Sequence, residues 1–250
     1  MRWIVVVLLM LGLGTGAVAA EESPWDGQTV LVTGANRGLG LEFARQLQAA
    51  GADVIGTARK PEKAEELKAL GVRVVQLDVT DEASVAALVK ELDGVMIDVL
   101  LNNAGIFLEY GKFESADPAS AMTVYDVNVL GPMRVIQALL PNLRASERKM
   151  IMNMSSGLGS IANNNSGGMV AYRSSKAALN MQTRTLAADL AEEEFICIAM
   201  SPGWVRTDMG GENATLSPAE SVSGMLSTLA PLTPENTGTY LNYDATELPW

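Results

Sequence analysis

The chain has 250 residues, with 18 lysines and arginines against 29 aspartates and glutamates, which gives a formal net charge of −11. This acidic balance disfavours nucleic acid and anionic lipid as the main partners. The sequence has no histidine, which excludes Ser-His-Asp and Cys-His enzymes and most zinc catalysis, so we predict no metal site and expect chemistry based on Tyr, Lys, Ser, Asn or carboxylates.

The first residues of the chain differ in composition from the rest. They carry one charge, at Arg2, followed by an unbroken apolar run over Trp3–Leu13 and a small-residue end at Ala17–Ala20. This order is typical of a secretory signal peptide, so we predict that residues 1–20 direct export to the periplasm or the secretory pathway. A membrane anchor is one alternative, because Trp3–Ala20 approaches a spanning length, and a non-functional extension is another.

From Thr29 onward, short β-branched runs alternate with longer segments of helical period. This alternation predicts βαβ units and a parallel sheet. The predicted strands are Thr29–Thr33, Asp53–Thr57, Arg73–Leu77, Ile97–Leu101, Lys149–Met154, Phe195–Met200 and Thr239–Asn242. The predicted helices are Gly40–Ala50, Pro61–Leu70, Asp81–Leu92, Pro118–Arg144 and Tyr172–Ala191. We therefore predict a single α/β domain over residues 25–250, doubly wound around a seven-stranded parallel sheet.

One later segment, Arg206–Pro234, is rich in Gly, Pro, Ser and Thr and contains one predicted helix near Glu220–Leu229. A long irregular segment inside a compact domain is usually functional or mobile. Because a strand pattern resumes after it at Thr239, we predict a substrate lid rather than a linker.

A glycine-rich segment joins the first predicted strand to the first predicted helix, with the sequence Thr33-Gly34-Ala35-Asn36-Arg37-Gly38-Leu39-Gly40. Glycines there permit a tight turn and let backbone N–H groups approach a pyrophosphate at a helix N-terminus, where the helix dipole favours an anion. A helix cap with spare glycines is the alternative. The position after the first strand of a βαβ series favours a dinucleotide site.

The TGxxxGxG spacing of this segment resembles that of the short-chain dehydrogenase/reductase family, and the resemblance extends over Thr29–Trp250. Further matches follow in the family's order: Asn102-Asn103-Ala104-Gly105, Asn128, Ser155-Ser156 and Tyr172-Arg173-Ser174-Ser175-Lys176. Within the family, the chain is most similar to the C-factor and sniffer-like carbonyl reductases, through Gly159–Ile161, Tyr172–Asn180, Pro202–Met209 and Leu248–Trp250. The resemblance implies a Rossmann-type fold, in agreement with the predicted elements.

The resemblance also implies a catalytic tetrad of Asn128, Ser156, Tyr172 and Lys176. Tyr172 and Lys176 are four residues apart, so on a helix they share a face, and the ammonium would lower the phenol's pKa from about 10. Tyr172 would donate a proton in reduction and accept one in oxidation, and Lys176 would also bind the nicotinamide ribose. Ser156 would hold the substrate oxygen, with Ser155 as the competing hydroxyl.

Two features near the tetrad leave alternatives open. Asn128 would bind a water that links Lys176 to solvent as a proton relay, whereas a helix-interior asparagine can equally bond a neighbouring backbone carbonyl. The gap of 16 residues from Ser156 to Tyr172 exceeds the family's usual spacing, so we expect Ile161–Met169 to form an enlarged loop beside the substrate pocket.

The second predicted strand runs into Thr57-Ala58-Arg59-Lys60. An acidic residue there would bind the 2′-hydroxyl of NAD, whereas arginine accommodates a 2′-phosphate, and Arg37 supplies a second cation. We therefore predict NADP(H) rather than NAD(H); the alternative is that both arginines are solvated surface charges. By resemblance, Asp78 would contact adenine and Thr207 the carboxamide. The full predicted cofactor-binding set is Gly34, Asn36, Arg37, Gly38, Leu39, Gly40, Arg59, Asp78, Val79, Asn103, Ala104, Gly105, Tyr172, Lys176, Pro202, Gly203, Val205 and Thr207.

The predicted function is that of an NADP(H)-dependent oxidoreductase acting on a small carbonyl or alcohol. The alternative is a C-factor-like signalling protein that keeps the fold and binds the nucleotide with little or no turnover, because relatives of that type are associated with signalling. Fold alone does not decide between them, and the intact tetrad favours the enzyme. Membrane attachment through residues 1–20 and assembly into a homo-oligomer stay open at this point.

Overall fold

The computed structural model describes residues 23–108 and 110–250. Its strands form one sheet of seven, in the order β3-β2-β1-β4-β5-β6-β7, and all neighbours are parallel. The strands are β1 Thr29–Val32, β2 Asp53–Ala58, β3 Arg73–Gln76, β4 Val99–Asn102, β5 Met150–Met154, β6 Ile196–Ser201 and β7 Thr239–Asn242. The predicted sheet is confirmed, and each strand begins and ends within two residues of its predicted bounds.

Helices cover both faces of the sheet. They are α1 Gly38–Ala49, α2 Glu65–Ala69, α3 Glu82–Glu91, α4 Pro118–Tyr125, α5 Gly131–Arg144, α6 Val170–Asp189 and α7 Pro218–Leu229. A π-helical turn, Asp126–Leu130, joins α4 to α5. Short 3₁₀ turns lie at Pro61–Lys63, Phe113–Ser115, Gly157–Gly159, Ala191–Glu193 and Pro234–Asn236.

Strand β5 shows how one strand serves the apolar layers on both faces. Its residues Met150, Met152 and Met154 pack in the layer that contains α1 and α7, whereas Ile151 packs in the layer that contains α3 and α5. Successive strand residues point to opposite faces, so a strand covered on both faces forms a continuous apolar run. A register slip would move the wrong side chains into each layer, so the two layers fix the register.

The predicted helix Pro118–Arg144 is wrong as a single α-helix, because the π-helical turn interrupts it. Pro132 has no N–H and cannot donate to the carbonyl of Asn128 four residues earlier. The local ladder shifts instead, and the Gly131 N–H donates to the Asp126 carbonyl five residues back.

The predicted lid is also shorter than expected. A capping box formed by Ser217 and Glu220 begins α7, and this helix buries Val222, Met225 and Leu229 in the layer shared with α1. Because α7 belongs to the core, the irregular loop after β6 is confined to residues 202–217.

Within residues 23–108 and 110–250, no helix is long and apolar enough to cross a membrane. In the same ranges, no group of acidic and cysteine side chains is arranged to hold a metal ion. The predicted leader, residues 1–20, lies outside the described residues and stays a prediction.

The strand order changes direction between β1 and β4. The chain first builds outward from β1 to β3 and then returns to add β4 on the other side of β1. In open parallel sheets, ligands bind beyond the carboxyl ends of the strands at such a point. The loops that leave β1 to β6 at this edge, and the helical segments that follow them, carry the predicted site residues.

Candidate active site

The structure gathers the predicted cofactor-binding residues at the carboxyl edge of the sheet. They comprise Gly34, Asn36, Arg37, Gly38, Leu39 and Gly40 after β1, Arg59 after β2, Asp78 and Val79 after β3, Asn103, Ala104 and Gly105 after β4, Tyr172 and Lys176 on α6, and Pro202, Gly203, Val205 and Thr207 after β6. Residues far apart in the chain thus line one edge.

The glycine-rich loop after β1 is held by a neighbouring loop. The Asn103 side-chain amide donates to the carbonyls of Thr33, at 2.9 Å, and Gly34, at 3.2 Å. Gly34 has a φ of +66°, a conformation that favours glycine. At Gly40 a Cβ atom would lie 2.3 Å from the Gly34 carbonyl oxygen and 2.6 Å from Asn103 Nδ2. The loop therefore has room for glycine and for no side chain at this position.

The N-terminus of α1 opens onto space that an anion could fill. Gly38 has a φ of +55°, and a Cβ atom there would meet only the Thr207 methyl group, at 3.8 Å. Helix α1 has neither a side-chain N-cap nor an acidic residue in its first turn, so its dipole is not compensated there. The loop after β6 therefore lies across the glycine-rich loop, with an anion-binding helix end between them.

Two exposed arginines lie beyond the ends of the adjacent strands β1 and β2. Arg37 Nη1 lies 3.1 Å from Asp208 Oδ2, and the two side chains are 71% and 85% exposed, so this ion pair adds little stability. Arg59 lies near Asp78. Burial raises the pKa of Asp78, but hydrogen bonds from Thr80 and the charge of Arg59 outweigh burial and leave it lowered.

Tyr172 and Lys176 lie together near the start of α6, where they are 9% and 4% exposed. Lys176 Nζ donates to the Met154 carbonyl at 2.7 Å and lies 5.5 Å from the centre of the Tyr172 ring. Two glycines leave room for the lysine. A Cβ atom at Gly159 would lie 2.8 Å from Lys176 Cβ, and one at Gly105 would lie 3.7 Å from Nζ.

Burial dominates the pKa values of both side chains. It raises the pKa of Tyr172 to about 12, while a hydrogen bond with Ser156 opposes this rise and Tyr240 adds to it. Burial lowers the pKa of Lys176 to about 8. In the chain itself the pKa of Tyr172 is therefore raised rather than lowered, because burial removes the water that would stabilise the phenolate.

The two serines after β5 are distinguished by their partners. Ser155 is buried and donates to Asn180 Oδ1 at 2.6 Å, so its hydroxyl joins β5 to α6. Ser156 Oγ accepts the Leu158 N–H at 3.2 Å, and the Ser156 side chain is near enough to the Tyr172 phenol to lower its pKa. Of the two hydroxyls, that of Ser156 is the one beside the tyrosine, as the sequence predicts.

Asn128 lies in the π-helical turn, and its side chain is fully engaged. Its Oδ1 accepts the Ile106 N–H at 2.8 Å, and its Nδ2 donates to the Ile106 carbonyl at 2.9 Å and to Ser175 Oγ at 3.2 Å. The side chain thus bonds backbone groups and fastens the loop after β4. This is the alternative to a water relay that the sequence left open. Pro132 has no N–H to donate to the Asn128 backbone carbonyl, so this carbonyl is where we would place the relay water.

Aromatic residues outside the motifs form a wall beside Tyr172. The Phe107 ring meets the Tyr172 ring edge-on, with centres 5.2 Å apart, and the Tyr110 ring at 4.4 Å. The Tyr110 hydroxyl reaches the Met209 carbonyl at 3.5 Å, so the loops after β4 and β6 meet here. Sequence analysis missed this wall, although the apolar run Ile106–Leu108 directly after the fourth strand's motif is a signal for it.

The enlarged loop predicted at Ile161–Met169 borders the same wall. Its last residue, Met169, has a left-handed φ of +50° and donates its N–H to the Gly111 carbonyl at 2.9 Å. Arg173 Nη2 donates to Ser166 Oγ at 2.8 Å, which ties the loop to α6. The loops after β4 and β5 therefore meet beside the tyrosine.

The glycine-rich turn lies where the strand order of the parallel sheet changes direction, and the buried Tyr-Lys pair lies at the same edge of the sheet. These two features define a dinucleotide-binding type of α/β protein with an acid–base site. A family model for the short chain dehydrogenases matches residues 28–216. The chain therefore belongs to the short-chain dehydrogenase family. The matched range includes Asn128, Ser156, Tyr172 and Lys176.

Similar proteins cover most of the chain. C-signal of Myxococcus xanthus is 44% identical over 154 residues, which span 62% of this chain and 93% of that protein. The solved structure of the carbonyl reductase Sniffer of D. melanogaster is 34% identical with a TM-score of 0.85, covering 90% of this chain and 100% of that one. The NADPH-bound carbonyl reductase from chicken fatty liver is 35% identical with a TM-score of 0.83 and the same coverage of both chains, 90% and 100%.

The buried lysine generates a prediction about stability. Its pKa is about 8 in the folded chain and about 10.4 when unfolded, so between these values the unfolded chain binds more protons and stability rises with pH. Lys176→Met removes this dependence. Calorimetry gives the difference in unfolding temperature between the variant and the wild type. This difference should favour the variant by several degrees more at pH ~7 than at pH ~10. Lys68→Met, at an exposed lysine, is the control. An equal pH effect in this variant would contradict the lowered pKa of Lys176.

Proposed function

We propose that the protein is an NADP(H)-dependent oxidoreductase that transfers a hydride between the nicotinamide and a small carbonyl or alcohol. The observation that carries this proposal is the burial of Tyr172 and Lys176 side by side, with Lys176 Nζ 5.5 Å from the centre of the Tyr172 ring and Ser156 as a polar neighbour that lowers the pKa of the phenol. Two such hydroxyls can act on one substrate oxygen, one holding it while the other exchanges a proton with it. The similar solved structures, 34% and 35% identical, are carbonyl reductases.

The described residues fit a dinucleotide. The space above Gly38 suits a pyrophosphate at the N-terminus of α1. Asp78 and Val79 would flank adenine, Pro202–Thr207 would hold the carboxamide, and Lys176 would bind the nicotinamide ribose. When bound, the nicotinamide supplies or accepts the hydride.

A comparison of magnitudes supports NADP(H) over NAD(H). Arg59 follows β2 where NAD binding would call for an acidic residue. Arg37 has an exposed ion pair with Asp208, and such pairs contribute about 0–1 kcal/mol. A charge-assisted hydrogen bond to a phosphate contributes about 1.5–3 kcal/mol. A 2′-phosphate would therefore outcompete Asp208 for Arg37. One similar solved structure binds NADPH.

The protonation states favour reduction. With its pKa raised to about 12, Tyr172 holds its proton at neutral pH and can donate it to a substrate oxygen held by Ser156. As an acceptor in oxidation, it would first have to lose that proton. Lys176, with a pKa of about 8, is largely cationic at neutral pH, and its charge stabilises the phenolate that donation leaves. The backbone carbonyl of Asn128 would hold the water that returns the proton.

The walls beside Tyr172 favour an uncharged, apolar carbonyl substrate. Phe107 and Tyr110 form one side. On the loop after β6, Trp204 is fixed by a hydrogen bond from its Nε1 to the Gly210 carbonyl at 2.8 Å. Aromatic surfaces of this kind bind apolar groups.

The second candidate function is that of a signalling protein which binds the nucleotide with little turnover. The 44% identity to the protein named C-signal favours it. The two candidates differ in whether the Tyr172 proton is needed, because fold alone serves both.

Tyr172→Phe tests the enzyme proposal directly. The variant keeps the ring that contacts Phe107 and loses only the hydroxyl, so NADPH oxidation with benzaldehyde should fall about 10²–10⁴-fold, while NADPH affinity and the unfolding temperature change little. Tyr125→Phe is the control. Unchanged activity in the Tyr172 variant would contradict the proposed role of Tyr172 as proton donor. A biological activity that survives the loss of turnover would favour the signalling function.

The two serines should respond differently to removal of the hydroxyl. Ser156→Ala should lower turnover by far more than Ser155→Ala, because the Ser156 hydroxyl is the one beside Tyr172. Ser155→Ala should instead lower the unfolding temperature, because it leaves the buried Asn180 oxygen without its donor. Kinetics and thermal unfolding of both variants measure this contrast, and the reverse pattern would show that Ser155 is the substrate-binding hydroxyl.

Replacing Arg37 and Arg59 with alanine should weaken NADPH binding while leaving NADH binding nearly unchanged. Loss of charge-assisted bonds of about 1.5–3 kcal/mol each corresponds to at least about tenfold in preference. Fluorescence titration of both nucleotides measures it, with Lys63→Ala/Lys68→Ala as a control that removes equal charge from a neighbouring segment. Equal losses for both nucleotides would mean that the arginines are surface charges only.

A further inference from the structure

Tyr240, on β7, lies outside every motif used above. Its side chain is fully buried, at 0% exposure, and a buried phenol needs a hydrogen-bond partner. Its hydroxyl donates to the backbone carbonyl of Ser156, 84 residues earlier in the chain. The last strand of the sheet therefore contacts the residue that we place against the substrate oxygen.

The peptide that joins Ser156 to Gly157 is held at both of its polar groups, and its N–H, that of Gly157, donates to Ser201 Oγ at 3.1 Å. Before it, the Ser155 N–H donates to the Met200 carbonyl at 2.7 Å, in continuation of the ladder between β5 and β6. After it, the Gly159 N–H donates to the Ser156 carbonyl at 2.7 Å and closes the 3₁₀ turn. These bonds tie the strand end to β6 or lie within its own turn, so the Tyr240 hydroxyl is the group that fixes this peptide relative to β7.

The same hydroxyl lies beside the groups that hold Ser155. Burial raises the pKa of Tyr240, while hydrogen bonds with Asn180 and Ser155 oppose the rise. Asn180 is on α6, four residues after Lys176, and it accepts the Ser155 hydroxyl. Tyr240 thus contacts the end of β5 from β7, beside the two side chains whose bond joins β5 to the helix of the Tyr-Lys pair.

Trp250 covers the other side of the Tyr240 ring. The two rings are stacked, with centres 5.2 Å apart and an angle of 25° between their planes. The tail that carries the tryptophan is docked, because the Ala162 N–H donates to the Trp250 carbonyl at 3.0 Å and Ser160 Oγ donates to the Pro249 carbonyl at 2.6 Å. Both donors lie just after the 3₁₀ turn that follows Ser156.

We propose that Tyr240 is a positioning residue, which fixes the Ser156 peptide so that the Ser156 hydroxyl stays aimed at the substrate oxygen, and that stacking by Trp250 holds Tyr240 in place. The proposal rests on the proposed function. A role in core packing alone would need only the ring, so the hydroxyl separates the two roles.

Tyr240→Phe removes the hydroxyl and keeps the ring. We expect kcat for benzaldehyde reduction by NADPH to fall about 10- to 100-fold, since small misplacements at a reacting centre cost up to about that much, with KM, NADPH affinity and the unfolding temperature changed little. In a Ser156→Ala background, the same substitution should cost less than about twofold, because interacting residues are not additive. Equal losses in the two backgrounds, or an unchanged kcat in the single variant, would overturn the proposal.

Two controls accompany this double-mutant cycle of Tyr240 and Ser156. Tyr243→Phe removes a hydroxyl just beyond the same strand, where the ring packs against Gly203 and Gly224, and it should leave kcat unchanged. Trp250→Phe keeps a stacking ring and should retain more kcat than Trp250→Ala. The reverse order of the two Trp250 variants would overturn the role given to the tail.

Crystal structures of the wild type and Tyr240→Phe give a readout that does not depend on turnover. We expect the distance from Ser156 Oγ to Tyr172 Oη to change by about 0.5 Å or more, the tolerance of a working site. An unmoved Ser156 would overturn the positioning role. An inactive wild type would count against the proposed function, and the structures would still decide the role of Tyr240.

Discussion

A lysine ammonium buried at the carboxyl edge of the sheet is the constraint on which the site depends. Removing such a charge from water is costly unless it is well bonded, and Lys176 Nζ bonds to the Met154 carbonyl at 2.7 Å. This bond joins α6 to the end of β5. Gly159 carries no side chain where one would crowd the lysine. The packing that excludes water from the ammonium also places it beside Tyr172.

Asparagine side chains hold together the loops around this lysine. Asn102 Nδ2 donates to Asn153 Oδ1 at 3.0 Å, and Asn153 Nδ2 donates to Thr183 Oγ1 at 2.9 Å, which links β4 to β5 and β5 to α6. Asn103 and Asn128 fasten the loops after β1 and β4 in the same way. An amide both donates and accepts, so it can bridge backbone segments that lack a common ladder.

Local patterns predicted some elements and concealed others. The strand bounds follow from short apolar runs, because each strand is covered on both faces and must be apolar throughout. The helix of Asn128 looked continuous because its polar and apolar positions keep a helical period, although Pro132 already marks the place where an N–H is missing. Helix α7 was placed in a lid because Gly, Pro, Ser and Thr surround it, while Val222 and Met225 turn it into the core.

The sequence by itself determined the parallel sheet, the glycine-rich turn and the shared helix face of Tyr172 and Lys176, because these follow from spacing along a strand or a helix. The tertiary structure alone decided the bond that joins Ser155 to Asn180, the direction of the pKa shifts and the contact of Tyr240 with Ser156. Burial and hydrogen bonding at these positions come from residues distant in the chain. Loss of water around a side chain is a property of the packed fold, and no local pattern encodes it.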